Sequence, residues 1–141
     1  MAISQALVNS FKTEIIQGIH LASHNYYIAL FTSGASLDKT TTTYTGHGNE
    51  VANGNGYLTT GKILTGYSVT LDGDTAIVDF DPVSWAASTI TARGALIYNH
   101  SLAGKNAVCV LNFVTDFTST NGTFTVTFPA SGAATSLIRI V

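Results

Sequence analysis

The sequence predicts an all-β protein: an antiparallel β-sandwich, with a jelly roll as one candidate form, carrying one short N-terminal α-helix. Two apolar runs between Ile90 and Phe113 flank a polar, glycine-containing connection, which is typical of a central hairpin covered on both faces. Asp72-Gly73-Asp74 separates two further β-like runs, as a tight hairpin turn would. Only one segment has helical periodicity, and the chain shows no βαβ alternation.

The composition is that of one domain, residues 1–141, with unusually little charge. Only 10% of the residues are charged, against about 25% in an ordinary soluble domain. Hydrophobic residues make up 45% and the mean hydropathy is +0.29, while 21 threonines supply much of the polar surface. Because a free monomer normally keeps a charged exterior, we expect part of this surface to be covered by other subunits, including copies of the same chain.

Charge and hydropathy also exclude several functional classes. A net charge of -2 and a pI near 6.0 provide no basic surface for nucleic acid. The N-terminus lacks the basic and apolar regions of a signal peptide, and no apolar run is long enough to span a membrane. We therefore expect a soluble protein made in a cytoplasm, with no membrane partner. The single cysteine, Cys109, lies in an apolar run and is interpreted as a buried thiol.

The N-terminal region, residues 1–18, contains the helix, which is predicted from Ser4 to Gln17. Leu7, Phe11 and Ile15 recur at a spacing of four residues. Ser4 is the predicted N-cap, and Gly18 stands where a glycine often ends a helix. Since an isolated helix of this length is marginal in water, its apolar stripe must pack within the domain or on a neighbouring subunit.

The strands are predicted from apolar and alternating runs bounded by turn residues. A break is expected around Pro82 and Ser84 to Ser88, and Asn121-Gly122 is expected to open a new strand. The predicted strands are Tyr26–Phe31, Tyr67–Leu71, Thr75–Phe80, Ala92–Tyr98, Ala107–Phe113, Thr123–Phe128 and Ser136–Val141.

The longest irregular stretch is predicted from Thr32 to Gly56. It is rich in Thr, Gly and Asn, which favour turns and positive φ values. Connections of this length are usually contact surfaces or mobile segments. This region and the helix are therefore the predicted sites of contact with partners.

Residues that could carry chemistry do not form a complete site in the sequence. His20 and His24 are four residues apart, as metal ligands on a helix would be, but Gly18 precedes them and no third ligand is near. Four aspartates could suit calcium or a carboxylate pair: Asp72, Asp74, Asp79 and Asp81. The turn explains Asp72 and Asp74 better, and outward-facing strand positions explain Asp79 and Asp81 better. Gly54-Asn55-Gly56 is interpreted as a flexible loop. We therefore predict no catalytic residue, no metal and no cofactor.

Arg93 is the charged residue whose position most suggests a contact. It lies next to Gly94 in an otherwise apolar run. A guanidinium there can hold a carboxylate across a subunit boundary, or it can simply face solvent at the strand edge. The predicted interface residues are thus Leu7, Phe11, Ile15 and Arg93.

Five segments together resemble small virion structural proteins of tailed bacteriophages, most closely their capsid decoration or cement proteins. They are ISQALVNSFKTEIIQGIH, NEVANGNGYLTTGKIL, TAIVDF, VSWAASTITARGALIYN and GTFTVTFP. The resemblance implies a β-sandwich module in the virion, assembled in the host cytoplasm. Such a module would bind the outside of the head and bridge subunits of the major capsid protein. It implies no catalytic residue.

Two alternatives belong to other functional classes. A tail-associated or receptor-binding protein would stack sugars on exposed aromatic rings, for which Tyr57, Tyr67 and Tyr98 are the candidates. A small hydrolase would need a nucleophile with an adjacent base, and no such motif occurs in the sequence.

Overall fold

The computed structural model describes residues 2–141, and it confirms the predicted class: all-β, with two antiparallel sheets and one short N-terminal helix. The helix is α1 (Asn9–Ile16). The strands are β1 (Ala6–Leu7), β2 (Tyr26–Phe31), β3 (Lys62–Ile63), β4 (Ser68–Asp72), β5 (Thr75–Asp79), β6 (Val83–Asn99), β7 (Ala107–Val126) and β8 (Ile138–Ile140).

The chain forms two compact units. The first contains residues 2–63 and Trp85–Phe124, and the second contains Leu64–Ser84 and Thr125–Val141. The larger sheet has the order β1-β7-β6-β2-β3, and the smaller sheet, in the second unit, has the order β4-β5-β8. That residues 1–141 form a single domain stays a prediction.

The central hairpin is formed by β6 and β7, which lie side by side in the middle of the larger sheet. Two predicted boundaries were wrong. The break expected at Ser84 to Ser88 lies inside β6, and the strand expected from Thr123 is the end of β7. Ala87 and Asn121 have φ values of +49° and +45°. Each strand therefore contains a residue with irregular backbone geometry and continues beyond it.

The helix begins five residues later than predicted. Ala6 and Leu7 are paired with Val110 and Cys109 of β7, so this backbone is already hydrogen-bonded in the sheet. Ser4 is therefore not the N-cap; Val8 occupies that position without a side-chain bond. The end is as predicted: Gly18 has a φ of +74°, and two backbone bonds close the helix in a Schellman motif. No helix within residues 2–141 is long and apolar enough to cross a bilayer.

β2 has the predicted bounds and pairs along its whole length with the C-terminal part of β6, from Tyr26 opposite Asn99 to Phe31 opposite Gly94. The short strand β3 on its other side was not predicted. Just before β3, the backbone of Gly61 passes so close to Ile28 that a Cβ atom would overlap the Ile28 carbonyl oxygen. Only glycine fits there, and its φ of +84° is also one that glycine favours.

The hairpin of β4 and β5 confirms the predicted turn. Asp72 pairs with Thr75, so the loop has two residues, and Gly73 takes its first position with a φ of +61°.

We predict that Gly61→Ala destabilises the protein much more than Gly46→Ala. Both glycines have nearly the same φ, +84° and +86°, but a Cβ at Gly46 meets no atom within 4 Å. Gly46→Ala should therefore cost about 1 kcal/mol of backbone strain, whereas Gly61→Ala should cost roughly 2–4 kcal/mol because the backbone of β2 must also move. Urea unfolding of the two variants measures the difference. Equal losses would show that the close approach to Ile28 contributes nothing.

Candidate interaction surface

The outer side of β7 is unpaired along most of its length within the larger sheet. β1 pairs with β7 only at Cys109 and Val110, and no other strand of residues 2–141 lies on that side. We call residues 114–124 of β7 the open edge of β7. An unpaired strand edge of this length presents free backbone groups to which another chain can add.

One face of β6 and β7 beside this edge carries a row of polar pairs. The hydroxyls of Thr91 and Thr118 lie 2.9 Å apart, and the Thr89 hydroxyl accepts a bond from the backbone N–H of Asn121 at 3.1 Å. The threonines of this row are exposed. This face offers hydroxyl groups and almost no net charge to a partner.

Arg93 lies at the end of the polar row and forms an ion pair with Asp116 of the same chain. Its Nε donates to Oδ1 of Asp116 at 2.8 Å, and the two side chains are 35% and 45% exposed. The guanidinium thus lies half-exposed on the face of the sheet, and its role at a subunit boundary stays a prediction. Such an exposed pair contributes less than about 1 kcal/mol to stability. The terminal nitrogens of Arg93 make no hydrogen bond within residues 2–141, so they are free to bind a carboxylate or carbonyl of a partner.

Two exposed apolar side chains lie on the open edge of β7: Val114, 79% exposed, and Phe117, 53% exposed. Val114 has a φ of +72°, which a β-branched residue rarely adopts. Its N–H donates to Oδ1 of Asn112 at 2.8 Å, so the strained turn is held in place. The ring of Phe117 contacts that of Phe113 edge-on, with the centroids 6.2 Å apart. Backbone strain at an exposed apolar residue is typical of a functional surface.

The three helix-region residues predicted to contact a partner lie mostly inside the protein. Phe11 is buried, with its ring 4.7 Å from that of His20, while Leu7 and Ile15 are half-buried. The exposed apolar residue of α1 is Ile16 instead. The helix therefore packs its stripe within the first unit and leaves its last turn free.

His20 and His24 both bind the side-chain amide of Asn99. The buried Asn99 donates from Nδ2 to Nδ1 of His20 at 3.1 Å and to Nδ1 of His24 at 2.8 Å. Nε2 of His20 lies 2.9 Å from Oε1 of Glu14, whose other oxygen accepts a bond from Asn106. Residues 2–141 contain no group of three or more His, Cys, Asp or Glu placed to hold a metal. This network connects the helix to the β6–β7 hairpin. No sequence pattern predicts it, because its members are up to 92 residues apart.

The long polar stretch from Thr32 to Gly56 is fixed at several points. It bridges Ile3, Phe31 and Asn106 through backbone pairs. Its main anchor is Glu50, whose carboxylate accepts bonds from the hydroxyls of Tyr44 at 2.6 Å and Tyr57 at 2.7 Å. It also accepts the backbone N–H of Thr60 at 3.0 Å.

The rings around Glu50 are part of the core. Tyr57 and Tyr98 are buried, so they cannot stack on sugars, and the half-buried Tyr67 packs against Phe80. Burial, followed by the hydrogen bond to Glu50, raises the pKa of Tyr57 and of Tyr44 far above the usual value. Burial also raises the pKa of Tyr98, as do its neighbours Tyr44 and Glu50.

Gly54-Asn55-Gly56 lies in a hydrogen-bonded turn, and the predicted flexibility of this loop stays a prediction. Gly54 and Tyr57 exchange two backbone bonds, with Asn55 and Gly56 between them at φ values of +52° and +88°. These are the values of a type I′ hairpin turn, for which Asn-Gly is the preferred sequence.

The remaining candidates have structural roles. Asp72 accepts a bond from the N–H of Ala133 at 2.7 Å, and Asp79 accepts one from the N–H of Phe80 at 2.9 Å. Cys109 is a free, buried thiol, as predicted, and burial raises its pKa to about 12.

We predict that stability falls above about pH 10, the ordinary pKa of tyrosine. The folded protein keeps Tyr57 protonated while the unfolded chain loses that proton, so unfolding releases protons and becomes easier as the pH rises. Tyr57→Phe should lower stability at pH 8 by about 1–3 kcal/mol, because Leu30 N–H and Glu50 lose a partner. It should also make the decline between about pH 10 and 11 shallower, by up to about 1.4 kcal/mol per pH unit.

Urea unfolding at each pH measures both effects. Ile28→Val is the matched control, since it removes only buried methyl volume and should lower stability about equally at every pH. An unchanged slope for Tyr57→Phe would contradict the assignment.

Comparison with known proteins identifies no family for this chain. No protein-family model matches it, and neither a curated protein nor a solved structure does. The open edge of β7 is therefore identified as a candidate surface from the structure alone.

Proposed function

We propose that this protein is a virion structural protein of a tailed bacteriophage, a decoration protein that binds the outside of the head and bridges major capsid subunits. The observation that carries the proposal is the open edge of β7, where the strained, exposed Val114 lies beside Phe117 and the Arg93–Asp116 pair. The resemblance of the sequence to such proteins supports it.

The open edge combines the three kinds of contact that such attachment needs. Its backbone can add a strand of the capsid protein by pairing. Val114 and Phe117 supply apolar area, worth about 1.5–3 kcal/mol for each side chain that becomes fully buried. The free terminal nitrogens of Arg93 can fix the register by binding a carboxylate of the partner.

Attachment in many copies converts these modest contacts into stabilisation of the head. A protein that binds the assembled lattice and not the separate subunits stabilises the assembly by its binding free energy at every site. Because few charges lie on the contact surface, the binding should depend only weakly on salt. The proposed location is the virion, with the major capsid protein and further copies of this chain as partners, and no cofactor takes part.

The proposal predicts many copies of the protein on each head. A reconstruction of the virion of the phage that encodes it, or a quantitative gel of purified virions, should show copies in the hundreds. Heads lacking the protein should lose their DNA at a lower temperature than decorated heads. A handful of copies confined to the tail, or heads equally resistant to heat without the protein, would refute the proposal.

Val114→Gly should weaken attachment without destabilising the protein. Glycine adopts a φ of +72° without strain, so the free energy of unfolding should stay the same or rise by about 1 kcal/mol. Head binding should nevertheless fall severalfold, because a large apolar side chain is lost from the contact. Leu58→Ser removes another exposed apolar side chain, one that does not belong to β7, and serves as the control. If both variants bind heads as the natural protein does, Val114 is not part of the contact.

A further inference from the structure

The smaller sheet has an open edge of its own at β4. β4 is the outermost strand of the sheet, and all five of its residues are exposed. No strand within residues 2–141 pairs with its outer side. The outer backbone groups of β4 are thus available for pairing, and their positions follow from the hairpin.

The backbone groups that point outward belong to Val69 and Leu71. A two-residue hairpin loop is closed by a hydrogen-bonded pair, here Asp72 and Thr75. Antiparallel ladders alternate from there, so Thr70 and Ser68 bond inward to β5, while Val69 and Leu71 direct their N–H and C=O groups away from it.

The side chains of Val69 and Leu71 begin an aliphatic face. They are 55% and 70% exposed. The strand pairing places residues of the same face opposite one another. Val69 and Leu71 are therefore each the first residue of a row that crosses the three strands. The first row is Val69, Val78 and Ile138, and the second is Leu71, Ala76 and Ile140.

We propose that a second copy of this chain pairs with β4 in antiparallel register about a two-fold axis at Thr70, so that two three-stranded sheets become one of six strands. Val69 then lies opposite Leu71 of the partner and exchanges both backbone bonds with it, twice over by symmetry. The two copies of Thr70 face each other in the non-hydrogen-bonded position. The aliphatic rows continue from one copy into the other.

The strand is self-complementary in this register. Ser68 lies opposite Asp72 of the second copy, so a hydroxyl donor meets a carboxylate and no two aspartates of β4 face each other. Registers centred on Val69 or on Leu71 also satisfy the backbone alternation, but they pair only three residues of β4 with each other rather than all five. A second copy therefore matches this edge along its whole length.

Long-range charge opposes the pairing weakly. The residues of the second unit include Asp72, Asp74, Asp79, Asp81 and one cation, Arg139, which gives 1 − 4 = −3. Two copies repel each other at low ionic strength, and salt screens the repulsion. The dimer should therefore strengthen as salt is raised from about 10 to 150 mM, the opposite of an ion-paired interface. The inference is independent of the capsid proposal, since it concerns the isolated protein.

Disulfide trapping tests the register. In a non-hydrogen-bonded antiparallel pair the Cα atoms are about 4.5 Å apart, within the range that a disulfide spans. Thr70→Cys should therefore form a covalent dimer under mild oxidation. Ser68→Cys is the matched control: it is exposed on the same face of the same strand, but in this register the two copies of residue 68 are about 14 Å apart, too far to be joined. Cys109 is buried and does not compete.

The expected result is a dimer band for Thr70→Cys and none for Ser68→Cys or the natural protein. Equal crosslinking of both variants would indicate random collision, and no crosslinking would show that β4 does not pair with itself; either overturns the proposal. In a second measurement, Thr70→Lys should sediment as a monomer, and mixing it with Thr70→Glu should restore the dimer, because residue 70 faces its own copy. A mixture that stays monomeric would also overturn the proposal. Since no heads are present, the outcome is separate from that of the decoration experiments.

Discussion

The first unit depends on one constraint: the C-terminal part of β6, from Gly94 to Asn99, is buried on both faces of its sheet. Such a segment requires cover on two sides and a partner for every polar group. β2 supplies the backbone partners along its full length. At Gly94 the cover is so close that a Cβ would meet the Leu111 carbonyl oxygen and the side chain of Ile3. The remaining elements of the first unit cover this segment.

Two polar centres complete the enclosure, and each connects separate segments of the chain. Asn99, at the end of β6, holds His20 and His24, and Glu14 links His20 to Asn106. The carboxylate of Glu50 accepts hydrogen bonds from Tyr44, Tyr57 and Thr60. Because removing one partner from a buried network leaves the others unsatisfied, each centre resists opening more than its single bonds suggest. The long polar stretch is consequently part of the folded framework.

Local patterns predicted local structure. The run YYIALF gave β2 at its observed bounds, and Asp-Gly marked the β4–β5 hairpin, because apolar runs and turn residues act within a few positions. The helix start was missed because pairing of Ala6 with Val110, across more than 100 residues, overrode a helical periodicity. The centres at Asn99 and Glu50 could not be predicted, since nothing in a single sequence indicates which distant polar residues meet. The pairing of Arg93 with Asp116 was not predicted, and the role of Arg93 at an interface stays a prediction.

Two β-branched residues, Thr60 and Val114, have positive φ values, but their surroundings differ. Thr60, at +84°, is held from within, since its N–H bonds to Glu50 and its carbonyl oxygen accepts the Tyr98 hydroxyl. Val114, at +72°, donates its N–H to the nearby side chain of Asn112, and its own side chain is exposed to solvent. We therefore place the proposed contact with a partner at Val114. The two proposed contacts therefore use different strands: β7 would bind the capsid lattice, and β4 would bind a second copy of the chain.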